Sequence, residues 1–377
     1  IKHSAFYVTS HSQTYNEIGL AQSKLWDAGT LCITIAANIA DTAILTYPAC
    51  FPDSIIGFIA DEKKADTKYV KYCLDIYKKI MLNISLGATQ DNMSVSKLLS
   101  LKFPIPDLKI QKKIAAVLST YDDLIEVNKK RIQLLENMAE ELYKEWFIRF
   151  RFPNWENTEF EKGIPKDWSE VPLKDLGNII TGKTPSMSIS EYHNGDIPFY
   201  KTPDMHDKIF VFETEDTITE YGLNSQKSQI IEPNAIMVTC IGTGGVTAIA
   251  TKRGCTNQQI NSITLRDEKL LYWAFLTVRR MKPQIELFGA TGTTMTNLSK
   301  GKFSNLLVLK PSNKLIASYQ KTVSPMFEQI KKLRLCNVNL SLQKENLLTR
   351  LISGQLLVED LNIEFPPSMQ NIDSNIQ

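Results

Sequence analysis

Residues 111–146 read QKKIAAVLSTYDDLIEVNKKRIQLLENMAEELYKEW. Ile114, Leu118, Tyr121, Ile125, Asn128, Ile132, Leu135, Ala139, Leu142 and Trp146 recur at alternating steps of four and three. A 3.5-residue period sustained over so many turns is the seam of a coiled coil, because it keeps one stripe of a helix facing a partner. Adding 205 to each position gives Tyr319, Val323, Met326, Ile330, Leu333, Asn337, Leu340, Lys344, Leu347 and Leu351, a second seam of the same spacing. About 30 residues at roughly 1.5 Å each make a rod of about 45 Å, longer than one small domain covers. Each rod is therefore expected to find its partner in the other. Antiparallel pairing would put two globular heads at opposite ends, related by a pseudo-two-fold axis. The alternative, two amphipathic helices each lying on its own domain, stays open.

Working outward, the rods prove to be parts of a longer repeat, the pattern to be sought before any other. Gly87-Ala88-Thr89 returns as Gly289-Ala290-Thr291, and Glu17-Ile18-Gly19-Leu20 as Glu220-Tyr221-Gly222-Leu223. Cys32-Ile33-Thr34-Ile35 aligns with Met237-Val238-Thr239-Cys240, and Cys50 with Cys255. Leu98, Leu101, Phe103 and Pro106 align with Phe303, Leu306, Val308 and Pro311. Short β-branched runs such as 31–35 and 236–241, bounded by Gly, Pro, Asn and Asp, make each head α+β. The fold expected is two repeated α+β domains separated by two long antiparallel helices forming a coiled-coil spacer. The divisions are a first domain over 1–107, a first spacer helix region over 108–150 and a second domain over 151–311. A second spacer helix region over 312–355 and a tail over 356–377 follow. The tail is polar and is expected to be disordered. In this alignment Ile1 matches Asp204, so the first copy lacks a counterpart of 164–203, and doubling the second half predicts an intact protein of about 400 residues.

Smaller signals refine the rods. Ser324-Pro325 resembles an N-cap followed by proline at the first helical position, so the second rod is expected to restart there after a short helix over 314–323. Asp122 and Asp123 suit the first turn of a restarted first rod. Asn128 and Asn337 either fix the register of the pair or point to solvent near a crossing. Trp146, Phe147 and Phe150 read as an apolar flank awaiting a partner.

Composition sets limits. The 377 residues are 43% apolar and 22% charged, which excludes wholesale disorder. Forty-three basic against 41 acidic residues leave a net charge of +2, so any nucleic-acid site must be a local patch. No apolar run is long enough to span a membrane. The six cysteines form no C-x-x-C pair, and the four histidines have no metal-ligand spacing. The cysteines are read as reduced, mostly buried thiols of a cytosolic protein.

The chain resembles the specificity subunits of type I restriction–modification systems over essentially its whole length. The resemblance rests on Gly163-Ile164-Pro165-Lys166-Asp167-Trp168, Thr181-Gly182-Lys183-Thr184-Pro185-Ser186, Ile197-Pro198-Phe199-Tyr200 with Pro203-Asp204, and Cys255-Thr256-Asn257-Gln258-Gln259. It also rests on the exit helix ending Leu347–Leu351 with Ser353-Gly354, and on a central helix running from Gln111-Lys112-Lys113-Ile114 to Asn128-Lys129-Lys130. It implies a cytoplasmic, non-catalytic subunit. Each α+β head would read one half of a split, asymmetric site on double-stranded DNA. The paired helices would set the gap between half-sites and dock two methylation (M) subunits, with restriction (R) subunits joining the complex. No cofactor is implied in this chain; S-adenosylmethionine would sit in the methylation subunit, and ATP and Mg in the restriction subunit. The competing reading is a protein-interaction scaffold, two heads on a rod with no DNA role, which salt-dependent DNA binding would exclude.

Three stretches imitate catalytic motifs. Gly177–Thr184 fits the P-loop expression, but the preceding Val171–Leu176 contains a proline that spoils a buried strand, and Pro185 follows where a helix should begin. Gly242–Gly245 imitates a cofactor loop, but its counterparts are 37–40, so a turn between strands is expected. Pro52-Asp53 with Asp61-Glu62-Lys63 imitates a nuclease site at too short a spacing. The base-reading candidates are polar loop residues, since Asn and Gln suit adenine, Arg and Lys suit guanine or phosphate, and Thr methyls suit thymine. In the second copy they are Lys183, Thr184, Lys201, Arg253, Gln258, Gln259, Thr291, Thr293, Thr294 and Lys300; in the first, Asn38, Gln90, Asn92 and Lys97. The helix-pairing candidates are Ile114, Leu118, Tyr121, Ile125, Ile132, Leu135, Leu142, Val323, Met326, Ile330, Leu333, Leu340, Leu347 and Leu351.

Overall fold

A computed structural model describes residues 6–36, 39–86, 95–100, 102–290 and 296–370. The chain forms two compact units, one of Ile1–Lys130 with Leu333–Gln377, the other of Arg131–Lys332. Each spacer helix is therefore divided between the two units.

In the first unit, β1 (Tyr7–Val8), β2 (Leu31–Thr34), β3 (Thr42–Leu45) and β4 (Ile55–Phe58) form a sheet of order β1-β3-β2-β4. β1 runs parallel to β3, and the other pairings are antiparallel. α1 (Glu17–Ala21) starts at Asn16, whose side chain accepts the Gly19 amide, as an N-cap should. α2 (Thr67–Leu86) starts after Asp66, which accepts the Tyr69 amide at 2.9 Å, and α3 (Val95–Ser100) follows. α4 (Leu108–Tyr143) is the first rod, entering at Gln111, a buried side chain that bonds the Asp66 amide and the Lys64 and Pro106 carbonyls.

The second unit repeats this sheet and adds to it. The strands of its two larger sheets are β5 (Gly177–Thr181), β6 (His193–Tyr200), β7 (Phe210–Val211), β8 (Asp216–Ile218), β9 (Ile230–Ile231), β10 (Ile236–Thr239), β11 (Thr247–Ala250), β12 (Gly254–Thr256) and β13 (Ile260–Leu265). α5 (Glu220–Asn224) follows β8 and α6 (Leu271–Arg280) follows β13. One sheet has the order β7-β11-β10-β13-β5, the other β8-β6-β12-β9. β7, β10, β11 and β13 stand in the order and directions of β1, β2, β3 and β4. β10, β11 and the start of β13 lie 205 residues after their counterparts, as the sequence repeat requires.

The glycine-rich segment 242–245 is the expected turn, joining β10 to β11. Thr239 Oγ1 accepts the Val246 amide at 2.9 Å inside it. In the first unit Thr34 Oγ1 accepts the Asp41 amide, also at 2.9 Å. Gly245 has φ +75°, and at the matching position Ala40 has φ +65°. The turn thus demands a left-handed residue in both copies, and glycine supplies it more cheaply.

α7 (Asn313–Ile352) is the second rod and is continuous. It does not restart at Ser324-Pro325. Proline removes one backbone donor, but Val323 and Phe327 are fully buried on either side and hold the helical path, while Ser324 Oγ bonds back to the Gln320 carbonyl at 2.6 Å. α4 does not restart either. Asp122 lies in mid-helix, buried, because it receives the Tyr72 hydroxyl at 2.5 Å and the Lys344 ammonium at 2.8 Å.

Within the first unit the rods run antiparallel: Asp122 meets Lys344, and six residues on, Asn128 donates from Nδ2 to Asn337 Oδ1 at 2.8 Å. The two seam asparagines therefore satisfy each other, and Asn128 is buried. Ile114, Leu118 and Leu351 join a core with Leu31, Ile33, Tyr69 and Tyr72, so this end of the seam is shared with the head. Ile125 and Ile132 are buried, and Tyr121, Leu135 and Leu142 half-buried; Val323 and Ile330 are buried, and Met326, Leu333, Leu340 and Leu347 half-buried. In the second unit Tyr319 is fully buried against Tyr143, Trp146 and Phe147, and its hydroxyl donates to the Ala139 carbonyl at 2.9 Å. Phe327, outside the seam, stacks on Tyr272 with ring centroids 4.0 Å apart.

Two further expectations are corrected. Trp146 and Phe147 are buried rather than exposed, and Phe150 packs edge-on to Phe160 and Trp168, because the chain following α4 folds back over them. Residues 356–370 of the tail are docked rather than disordered. Val358 is buried in the first core with Leu356, Ile363 and Met369 packed against it, and Lys113 donates to the carbonyls of Val358, Glu359 and Leu361. Four spaced apolar residues in a polar segment are enough to dock it on a ready-made surface.

Candidate nucleic-acid interface

The second unit brings four of the sequence candidates together where β5 and β12 end. The Lys183 amide donates to the Thr256 carbonyl at 2.9 Å, which fixes the loop after β5 beside the loop after β12. The approach is close. A Cβ on Gly182 would lie 2.2 Å from the Asn257 carbonyl oxygen, and one on Gly177 would lie 2.3 Å from the Thr264 carbonyl oxygen. The glycines of the P-loop lookalike thus serve strand packing. Gly177–Thr181 is itself a strand at the sheet edge, and no helix begins at Lys183, so the phosphate-cradling arrangement is absent.

Thr184 Oγ1 donates to Gln258 Oε1 at 2.8 Å. That bond tethers the Gln258 side chain to the loop after β5. Gln258 is exposed, as is Lys183, which has no carboxylate partner among the described residues. Gln259 is more enclosed. Its Oε1 accepts from Asn257 Nδ2 at 3.1 Å and from Thr202 Oγ1 at 3.3 Å, and its amide donates to Asn257 Oδ1 at 3.1 Å. Asn257 and Thr202 belong to this cluster and were missed as candidates. The polar run Thr256–Gln259 signalled the first; nothing local signalled the second.

Lys201 and Arg253 are held by acids. Lys201 pairs with Asp216 at 2.6 Å, which raises its pKa, and with Glu215 at 3.8 Å. Arg253 pairs with Glu220 at 3.2 Å and Glu232 at 3.8 Å. Exposed pairs of this kind are worth about 0–1 kcal/mol, so an incoming phosphate could displace the Arg253 partners. Lys300 is exposed at the start of a short helix capped by Ser299. Lys97 lies in the last turn of α3, half-buried. Asn38, Gln90, Asn92, Thr291, Thr293 and Thr294 lie outside the described residues.

Among the described residues no three His, Cys, Asp or Glu side chains are grouped to hold a metal. In the nuclease lookalike, Asp61 is engaged with the Lys63 amide and with Lys64 at 3.2 Å. Burial pushes the Cys32, Cys73 and Cys240 thiols up to about 11 and Cys255 to about 12, which leaves them poor nucleophiles. No described helix is long and apolar enough to cross a membrane.

The family of type I restriction modification DNA specificity domains matches this chain twice, over residues 3–137 and 165–336. The specificity subunit of the type I restriction enzyme HindI, from Haemophilus influenzae, is 29% identical over 338 residues, covering 73% of each chain. The specificity subunit of the type I restriction enzyme MjaIX, from Methanocaldococcus jannaschii, is 27% identical over 347 residues, covering 90% of this chain and 80% of the relative. In fold, the chain is similar to the crystal structure of the type I restriction–modification S subunit from M. genitalium. That likeness has a TM-score of 0.56 at 15% identity and covers 87% of this chain and 84% of the other.

Proposed function

The chain belongs to the type I restriction–modification DNA specificity family, and from that premise we propose that it reads a split DNA target with its two heads while its helices scaffold partner subunits. The observation that carries the reading is the doubled sheet: two heads with the same strand order and the same threonine-locked turn, each continuous with a long helix. Two related heads of different loop sequence suit two half-sites of different base sequence. In the second head Gln258 reads a base. Its side chain is exposed and tethered by Thr184, and a glutamine amide can pair bidentately with adenine. Gln259 and Asn257 position that loop, and Lys183 contacts phosphate, which fixes the head on the duplex without selecting sequence.

By the same reading the chain is non-catalytic and cytoplasmic. Two methylation subunits bound to the helices hold S-adenosylmethionine, and restriction subunits hold ATP and Mg. With a net charge of only +2, much of the attraction to phosphate comes from those partners.

The test is DNA binding and methylation by the assembled complex. Gln258→Ala should cost about 1–3 kcal/mol at one base position and relax the methylated sequence there. Lys183→Ala should weaken all sequences alike and make log K less dependent on log salt by about one unit. An unchanged methylated sequence in the first variant, together with an unchanged salt slope in the second, removes this loop from the interface.

A further inference from the structure

Each unit carries the same turn just after a rod ends. In the first unit the Leu361 amide bonds the Val358 carbonyl at 3.2 Å, and in the second the Trp155 amide bonds the Phe152 carbonyl at 3.0 Å, an offset of 206. Before each turn an amide reaches six residues back along the rod, Leu356 to the Arg350 carbonyl and Arg151 to the Glu145 carbonyl. Val358 and Phe152 are both buried, so the same member anchors each turn.

The two turns differ in what they hold. In the first unit Lys113, near the start of α4, places its ammonium 3.2, 2.6 and 2.8 Å from the carbonyl oxygens of Val358, Glu359 and Leu361. The matching carbonyls of the second unit belong to Phe152, Pro153 and Trp155. Near the start of α7 the counterpart of Lys113 is Ser318, at the offset of 205 that aligns the two seams, and serine is too short to fill the place of a lysine. A cavity of about 570 Å³ stands there, lined by Phe152, Pro153, Trp168, Leu315 and Ser318 with several charged residues. Two of the three matching carbonyls thus belong to residues of its wall. The Pro153 carbonyl has no donor among the described residues. Those of Phe152 and Trp155 each accept one amide and keep a second lone pair, as the Val358 carbonyl does when it takes both Leu361 and Lys113.

The charged residues of the wall are Glu159, Lys166, Asp167 and Lys314. Lys166 is held by Glu159 at 2.8 Å. Asp167 has no cationic partner among the described residues. Lys314 does not stand in for the missing ammonium: its counterpart Lys109 is also a lysine, and the first unit gives its three carbonyls to Lys113 instead.

We propose that this cavity is a lysine receptor, which takes the ammonium of a lysine side chain presented by a partner polypeptide. The turn carbonyls and Asp167 receive the charge, and Phe152, Trp168 and Leu315 cover the methylene stem. The volume lies within the range of about 300–1,000 Å³ found for pockets that enclose a whole small ligand, more than an ammonium alone requires. The occupant in the first unit is itself a lysine of a polypeptide. The proposal does not depend on the DNA reading, and none of its readouts uses DNA.

The probe is a five-residue alanine peptide with one central lysine, titrated into the full chain labelled with fluorotryptophan and followed by fluorine NMR. The Trp168 resonance is assigned from Trp168→Phe. A saturable shift of that resonance is expected. The same peptide acetylated on the lysine nitrogen should bind at least tenfold more weakly, and so should n-butylammonium. Ser318→Lys installs what the first unit already has, so it should abolish the shift and slow hydrogen exchange of 151–158 at least tenfold. Ser318 is exposed, so exchange of 271–280 should match the parent. Absence of a Trp168 shift overturns the proposal, as does equal binding of the acetylated peptide. A shift that survives Ser318→Lys overturns it too. Equal binding of n-butylammonium overturns the polypeptide source in favour of a free amine.

Discussion

Asp122 offers the sharpest test of how the first unit holds its rods. The carboxylate is buried at 6% exposure and receives two donors, the Tyr72 hydroxyl from α2 and the Lys344 ammonium from α7. One side chain of α4 thus ties the head to both rods. In Asp122→Asn the shape is kept and the charge lost. One amide oxygen still accepts from Tyr72, but the amide NH2 then faces the Lys344 ammonium, donor against donor. Removing one member of a buried ion pair costs about 3–5 kcal/mol when the partner is trapped. Here the Lys344 side chain is 23% exposed and can turn to water, which lowers the expected loss to about 2–3 kcal/mol. With two units in the chain a single unfolding free energy is ill-defined, so the assay is hydrogen exchange read by peptide. Exchange in 67–86 and 108–130 should accelerate by about 30- to 150-fold, at tenfold per 1.4 kcal/mol, while 271–280 in the second unit stays unchanged. Tyr72→Phe and the double variant close a cycle, which should return a coupling of about 1 kcal/mol or more. Acceleration below about threefold, or spread equally over both units, would refute this account of how the rods are fixed.

Other outcomes follow from the same geometry. Asn128→Leu alone should destabilise the first unit by about 1–3 kcal/mol, because Asn337 loses its amide partner; Asn128→Leu with Asn337→Leu should recover that loss in the same exchange assay. At pH 8 a thiol reagent should modify Cys336 and Cys50 promptly and Cys32, Cys73, Cys240 and Cys255 only on unfolding, since a thiol with a pKa near 11 is ionised about one part in a thousand. Gly182→Ala should loosen the loop carrying Lys183 and speed proteolysis there, because the new methyl would meet the Asn257 backbone. Deleting 125–131 together with 334–340 removes one heptad from each rod, about 10.5 Å, and keeps both seams in phase. Recognition of a target with its original spacer should then fail, and an unchanged spacer would sink the ruler model.

Much of this was legible in the sequence because it follows from local periodicity. A 3.5-residue step places Ile114 to Trp146 on one face whatever surrounds them. An offset of 203 to 205 carries the head's strand order from one copy to the other, and the turn after Thr34 and Thr239 repeats because a buried hydroxyl closes it in both. The lookalike motifs were weak in sequence because they lacked the flanking element their chemistry needs, and the fold gives Gly177 and Gly182 a steric purpose instead.

What the sequence could not contain is which distant residues meet. Pro325 and Ser324 look locally like a helix start, yet packing at Val323 and Phe327 carries the helix through. Asp122 looks like a helix-start carboxylate until Tyr72, 50 residues away, and Lys344, 222 residues away, converge on it. Lys201 and Arg253 look like free cations until Asp216 and Glu220 arrive from other parts of the chain. The polar tail is docked because a core it does not itself build receives Val358. Helix period and repeat are properties of short stretches of backbone, so sequence alone determined the rods and the doubled heads. Burial and ion pairing depend on where the chain returns, so the tertiary structure alone decided them.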